Sequence, residues 1–214
     1  MLPDYLTKSH QGIPKDRTIS MLIRHSARFP ITSSEDVWTA GLTPEGIELA
    51  RVYGKWLSHS YEIRKIESSP IARCLDTGKQ ISSVLSEPVQ VAGVEVLAHP
   101  NEKAEYDSLA DYLVHNRWPE RITQIAAYLV PNGHHQEGLN IFISHDTVVV
   151  AMAAYWMDKD VRSKELWPRF MEPFFMWWQA GELIASFRGE TRNVQEIFET
   201  QLAGDFMESV LDSK

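Results

Sequence analysis

Three short strand-like runs in this chain break off at clusters of charged or polar residues and pass directly into turns or helices. Residues 19–23 lead into Arg24-His25-Ser26-Ala27-Arg28, and residues 63–67 into Ser68-Ser69-Pro70-Ile71-Ala72-Arg73. Residues 141–143 lead into Ser144-His145-Asp146. The first and third runs are nearly continuous in apolar residues, as buried parallel strands are. In open α/β sheets the ligand crevice lies outside the carboxyl ends of the strands. If these strands are parallel, the three polar clusters converge at one place.

Helical patterns alternate with the strands. Gly41-Leu42-Thr43-Pro44-Glu45-Gly46 opens a helix, with Thr43 as N-cap and Pro44 at its first position. Ile47, Leu49, Ala50, Tyr53, Gly54 and Leu57 then keep helical spacing. Ser69-Pro70 starts a helix running to about residue 85, with Arg73 in its first turn. Further readings are a strand over 89–97, a helix begun by Pro119 and carried by Ile122, Ile125, Ala126 and Leu129, and an apolar helix over 147–157. Residues 171–178 and 183–187 read as a hairpin with Ala180-Gly181-Glu182 at its turn. Val194, Ile197, Phe198, Leu202, Phe206 and Val210 predict an amphipathic tail helix. The expected fold is α/β: a three-layer α/β/α sandwich with a mostly parallel central sheet. One domain over residues 1–214 is expected, with a small cap or specificity insertion within about 99–138.

Composition limits the partners. Hydrophobic residues make up 43% and charged residues 23%, as in an ordinary globular chain. Net charge is -8, so a nucleic acid is not an expected partner, whereas a small anion needs only a local positive pocket. Cys74 is the only cysteine, so no intrachain disulfide can form, and a reducing, cytoplasmic setting is expected. The opening MLPDYLTKSHQG has no basic segment followed by an apolar run, so no signal peptide is expected. No apolar stretch approaches the length of a membrane span. Oligomeric state is not legible.

The converging clusters hold three arginines (Arg24, Arg28, Arg73), two histidines (His25, His145) and one carboxylate (Asp146). Arginine presents forked donors that match phosphate oxygens and keeps its charge. Helix N-termini add backbone N–H groups and a favourable dipole. A neutral histidine can attack phosphorus through one ring nitrogen if the other donates to an acceptor that fixes the tautomer. A carboxylic acid beside it can protonate the leaving oxygen, and Asp146 is placed for that.

These residues carry a signature. Arg24-His25-Ser26-Ala27-Arg28-Phe29-Pro30 resembles the R-H-G-x-R-x-P motif of the histidine phosphatase superfamily, in its acid-phosphatase branch. His145-Asp146 resembles that branch's H-D pair. The segment ending in Arg73 resembles the one bearing the family's middle arginine, and Leu42-Thr43-Pro44-Glu45-Gly46 its L-T-x-x-G helix start. The four motifs occur in family order between residues 18 and 157. The resemblance implies a phosphohistidine intermediate on His25, and a phosphate pocket of Arg24, Arg28, Arg73 and His145. It also implies Asp146 as general acid and then as base for water. Ser26 stands where the family usually has glycine, and a side chain there either crowds the phosphate or donates to it. The chain is also much shorter than typical acid phosphatases of this branch, so a small cap is expected and their substrates are not carried over.

The expected function is hydrolysis of a small phosphomonoester, with no cofactor and no metal. The alternatives are mutase-like phosphoryl transfer and a catalytically weak module that binds phosphate esters. Glu102, Glu105 and Asp107 are rival acids, because the other branch takes its acid from a comparable mid-chain region. His134-His135 reads as an exposed loop pair, since no metal-site spacing supports it. Phe174, Phe175, Trp177 and Trp178 read as a core strand, and Cys74 as a packing residue with some prospect of redox sensitivity.

Overall fold

The computed structural model describes residues 1–98, 120–132 and 137–202. Strands β1 (Thr18–Arg24), β2 (Ile63–Ser68), β3 (Val91–Gly93) and β4 (Gly138–Ser144) are parallel. Strands β5 (Pro173–Gln179), β6 (Glu182–Phe187) and β7 (Glu190–Asn193) add antiparallel pairings. Among the described residues they form one sheet in the order β3-β2-β4-β1-β5-β6-β7. The sheet is therefore mixed, with parallel strands at the core of the site.

Side chains alternate across the strands. Ile19, Met21 and Ile23 of β1, with Leu139, Ile141 and Ile143 of β4, pack toward α1 (Asp4–Ser9), α3 (Pro44–Ser58) and α4 (Ala72–Ser82). Leu22 and Phe142 pack toward α5 (Glu120–Leu129) and α6 (Asp146–Met157) on the opposite face. Every residue of α6 from Val148 to Met157 is buried, as a helix that is apolar on all sides must be. A short α2 (Asp36–Thr39) precedes α3. The α/β sandwich expected from the alternation is present, with helices on both faces.

Local signals set the start of α3. Thr43 Oγ1 accepts from the Gly46 N–H at 3.1 Å, and Pro44 follows the cap. Gly46 also permits a close approach. A Cβ there would stand 2.0 Å from the Ala27 carbonyl oxygen, so only glycine lets the chain leaving β1 lie directly on the helix. The Thr43 N–H donates to that same oxygen at 3.0 Å.

Some expected boundaries move. The strand expected over 89–97 is only β3, because the chain turns at Glu95–Leu97 and the Leu97 carbonyl accepts from Ser144 Oγ at 2.7 Å. The hairpin turn is Ala180-Gly181, both at positive φ, and Glu182 already belongs to β6. The expected tail helix is divided into α7 (Gln195–Ile197) and a wider helical turn, Phe198–Leu202, while Phe206 and Val210 lie outside the described residues. Phe174, Phe175 and Trp177 are buried core residues of β5. No helix among the described residues is long and apolar enough to cross a membrane.

His10, just past α1, fastens the N-terminal segment to this core. Its Nε2 lies 2.6 Å from Tyr53 Oη, and its ring meets Trp56 and Phe175 edge-on. Burial, with a smaller effect of Lys15, lowers its pKa to about 3. The unfolded chain takes up this proton near pH 6.5 and the native chain does not. His10 therefore lowers stability progressively as pH falls from about 6.5 toward 3, by up to about 1.4 kcal/mol per pH unit. In urea unfolding across this range, His10→Gln should take up about one proton fewer on unfolding near pH 5 than the wild type.

Candidate active site

The parallel register brings the three clusters to one end of the sheet. Arg24 is aligned with Ser144 across β1 and β4, and Ser68 with Ile143 across β2 and β4. The His25 N–H donates to the Ser144 carbonyl at 2.9 Å, and the Ser69 N–H to the Ile143 carbonyl at 2.8 Å. The first two clusters thus begin on the last ladder residue of their strands, and the residue that follows is tied to β4.

His25 is 2% exposed and lies at the centre. Its Nδ1 is 2.7 Å from the Ser26 carbonyl oxygen. A carbonyl only accepts, so Nδ1 carries the proton and Nε2 the lone pair. That lone pair accepts from Arg73 Nε at 3.2 Å. Burial, opposed by the Ser26 carbonyl and reinforced by Arg73, Arg24 and Arg28, lowers the His25 pKa to about 3. The ring is a neutral base with its reactive nitrogen facing a guanidinium.

Arg73 stands in the first turn of α4, as its position after Pro70 predicts. Its Nη2 donates to His145 Nδ1 at 3.1 Å, and its Nη1 to the Val37 carbonyl at 2.6 Å. Because Nδ1 of His145 accepts, the neutral ring carries its proton on Nε2, 3.0 Å from Ser69 Oγ. The two imidazoles are 5.7 Å apart, edge to face. Arg24 donates through Nη1 to the Pro168 carbonyl at 3.0 Å and pairs through Nη2 with Asp146 Oδ2 at 2.8 Å. The Phe170 ring covers its guanidinium at 4.2 Å. Asp146 opens α6, and its Oδ1 accepts from the Thr147 N–H at 3.0 Å. Arg28 donates to the Phe29 carbonyl at 2.9 Å and lies close enough to lower the pKa values of His25, Arg24 and Arg73.

The six residues singled out in the sequence therefore lie together. Glu102, Glu105, Asp107, His134 and His135 lie outside the described residues. Among the described residues no cluster of histidine, cysteine and carboxylate side chains could hold a metal ion. Cys74 is buried behind His145, with Sγ 3.7 Å from its Nε2, and burial pushes the thiol pKa up to about 12. A thiol with so little thiolate is a packing group.

Ser26 takes neither of the two orientations anticipated for it. Its hydroxyl donates to the Gly46 carbonyl at 2.7 Å, and its N–H donates to Thr77 Oγ1 at 3.0 Å. The side chain braces the His25 loop against α3. Thr77, which also donates to the Arg73 carbonyl at 2.7 Å, was not anticipated, although its place one helical turn after Arg73 points to it. Ser69, Val37, Pro168 and Phe170 were missed as contacts of the site. For the last three no local sequence signal exists, because two contribute only carbonyls and the third only a ring face.

No family model and no curated protein sequence matches this chain. Solved structures do match it. A phosphoserine phosphatase from Entamoeba histolytica, solved with 3-phosphoglyceric acid, aligns over 84% of this chain and 99% of its own, with TM-score 0.57 and 16% identity. YhfR from Bacillus stearothermophilus aligns over 83% and 99%, with TM-score 0.54 and 19% identity. The ecdysone phosphate phosphatase from Bombix mori, solved with tungstate, aligns over 76% and 90%, with TM-score 0.51 and 14% identity. The chain shares the fold of these solved structures.

The Ser26 geometry gives a specific expectation. Ser26→Ala removes one buried hydrogen bond and should cost about 1 kcal/mol in urea unfolding. Because the hydroxyl faces α3, inorganic phosphate affinity, measured by calorimetry, should stay within about twofold of wild type.

Proposed function

We propose that this protein is a phosphomonoesterase of the acid-phosphatase branch, acting through a phosphohistidine on His25. The observation that carries the proposal is the buried, neutral His25, whose Nε2 lone pair faces Arg73 while the Ser26 carbonyl fixes its tautomer. Arg24, Arg28 and Arg73 supply the donors of the proposed phosphate pocket, and His145, its fourth member, holds the Arg73 Nη2–H. The Nε of Arg24 is buried with no acceptor among the described residues, and a phosphoryl oxygen supplies one.

In the first step Nε2 attacks phosphorus and the P–O bond to the leaving group breaks. Asp146, in its protonated form, gives the proton that turns the leaving oxygen into an alcohol. In the second step the Asp146 carboxylate takes a proton from water, the hydroxide oxygen bonds to phosphorus and the P–N bond breaks, releasing phosphate and neutral His25. The guanidinium groups stabilise the charge spread over the phosphoryl oxygens, so the reaction needs no metal.

The reading is tested with a panel of phosphomonoesters. Aryl and alkyl esters belong in it, because Trp38 and Trp167 stand exposed next to Val37 and Pro168, whose carbonyls accept from Arg73 and Arg24, and Phe29 stands exposed next to Arg28. His25→Ala should fold and lose both turnover and phosphoenzyme; near-normal turnover in this variant would exclude the mechanism. The nucleophile must be neutral, and the free-enzyme pKa of His25 is about 3. After correction for substrate ionisation, the acid limb of kcat/KM due to His25 should therefore lie near pH 3 rather than near the ordinary histidine value of about 6.5.

Asp146→Asn should slow alkyl phosphates far more than an aryl phosphate with an electron-poor ring, whose leaving oxygen needs little protonation. The measurement is the ratio of the two single-turnover rates in wild type and variant. An unchanged ratio would remove Asp146 from the acid role and move the search to Glu102, Glu105 and Asp107.

A further inference from the structure

Arg188 lies in the two-residue turn between β6 and β7, more than a hundred and sixty positions along the chain from Arg24, and its hydrogen bonds go to none of the six site residues. Its guanidinium nevertheless reaches three points of the segment that holds Arg24. Nη1 donates to the Glu165 carbonyl, and Nη2 to the Trp167 carbonyl at 2.9 Å. Nε and Nη2 also donate to Glu172 Oε1 and Oε2, at 2.9 and 2.8 Å. The Glu172 side chain is 3% exposed, and a carboxylate so placed has to be paired. Glu172 Oε2 in turn accepts from the Arg169 N–H at 2.8 Å, closing a tight turn over residues 169–172.

That turn and Pro168 just before it present three groups to the site. The Pro168 carbonyl accepts from Arg24, and the Phe170 ring covers the Arg24 guanidinium and lies 5.8 Å from His25. The Met171 N–H donates to the Arg24 carbonyl at 3.1 Å, with Met171 held at φ 63°. Tyr5 Oη, from α1, donates to the Phe170 carbonyl at 2.7 Å. The backbone adds an independent sign. Arg188 and Gly189 have φ of 55° and 80°, the geometry of a turn that favours asparagine, aspartate or glycine at its first position. An arginine is placed there against its conformational preference.

We infer that the buried Glu172–Arg188 pair is a positioning device that fixes the 165–172 strap and through it aims the Arg24 guanidinium at the phosphoryl site. The inference rests on the proposed phosphatase reading, since that reading gives Arg24 its task. Neither residue touches substrate; both act through the Pro168 carbonyl and the Phe170 ring.

The test compares the wild type with Arg188→Met, Arg188→Lys and Glu172→Gln. Three quantities are read: thermal unfolding, kcat/KM for an aryl phosphate, and hydrogen exchange of the Arg24 Nε–H, assigned by its loss in Arg24→Lys. The folded variants should lose about ten- to a hundredfold in kcat/KM, carried by kcat, with faster exchange at Arg24 Nε. Lysine at 188 keeps the charge without the fork and should not rescue. Ile125→Ala, a core truncation in α5, serves as a control for destabilisation alone and should keep wild-type kcat/KM. Wild-type kcat/KM, or wild-type Arg24 exchange, in a folded strap variant would overturn the inference. If Arg188→Met does not fold, Arg188→Lys and Glu172→Gln decide. If the wild type hydrolyses no phosphomonoester, the phosphatase reading fails, and the exchange measurement alone decides the strap.

Discussion

Three guanidinium groups crowd around one neutral imidazole, and the rest of the site answers to that crowding. Each arginine uses Nη1 on a backbone carbonyl: Arg24 on Pro168, Arg28 on Phe29 and Arg73 on Val37. A carbonyl dipole orients a guanidinium without cancelling its charge, whereas a carboxylate would do both. Asp146 is the one carboxylate ion-paired with any of the three among the described residues, and it pairs only with Arg24. All three guanidinium charges still act on His25. They act with burial to keep His25 deprotonated, so on the proposed reading the charges that hold the phosphoryl group also keep the nucleophile reactive.

The exit from β1 is built to the same end. His25 can present Nε2 only while the Ser26 carbonyl accepts from Nδ1–H, and Ser26 is fixed on both sides by Thr77 and the Gly46 carbonyl. Gly46 lets that loop approach α3 closely enough for the bond to form. Serine at position 26 is thus compatible with the site because α3 offers its hydroxyl an acceptor. Thr77 links the loop to α4 and, through the Arg73 carbonyl, to the donor that meets Nε2.

How much of this was legible depended on how local each cause was. Thr43, Pro44 and Gly46 mark the start of α3 from within one turn of helix, and the apolar runs mark β1 and β4. Arg73 could be placed in a helical first turn from Pro70 alone. The convergence of the clusters needed one non-local assumption, parallel strands, which the β1–β4 and β2–β4 registers satisfy. The bond from Arg24 to the Pro168 carbonyl spans 144 positions and uses no distinctive side chain on the accepting side, so no pattern in Trp167-Pro168-Arg169-Phe170 announces it. Cys74 was ambiguous in sequence because the depth of its burial beside His145 is a tertiary fact.

The antiparallel half of the sheet looks like an appendage to a parallel core, yet its pairing explains why the strap lies where it does. Parallel strands bring their carboxyl ends to the site, so their own exits supply its residues. An antiparallel neighbour of β1 enters where β1 leaves. With Ile23 opposite Pro173, the residues preceding β5 must pass beside Arg24 and His25. Any segment entering at that point faces three guanidinium groups. It is accommodated by offering carbonyl oxygens and an aromatic face, as Pro168 and Phe170 do. The only carboxylate of that stretch to be deeply buried, Glu172, is turned away from the site to Arg188. A glutamate directed at Arg24 in addition to Asp146 would weaken the field around His25 further. The Glu172–Arg188 pair thus keeps the strap's own negative charge out of the site while holding the strap against it.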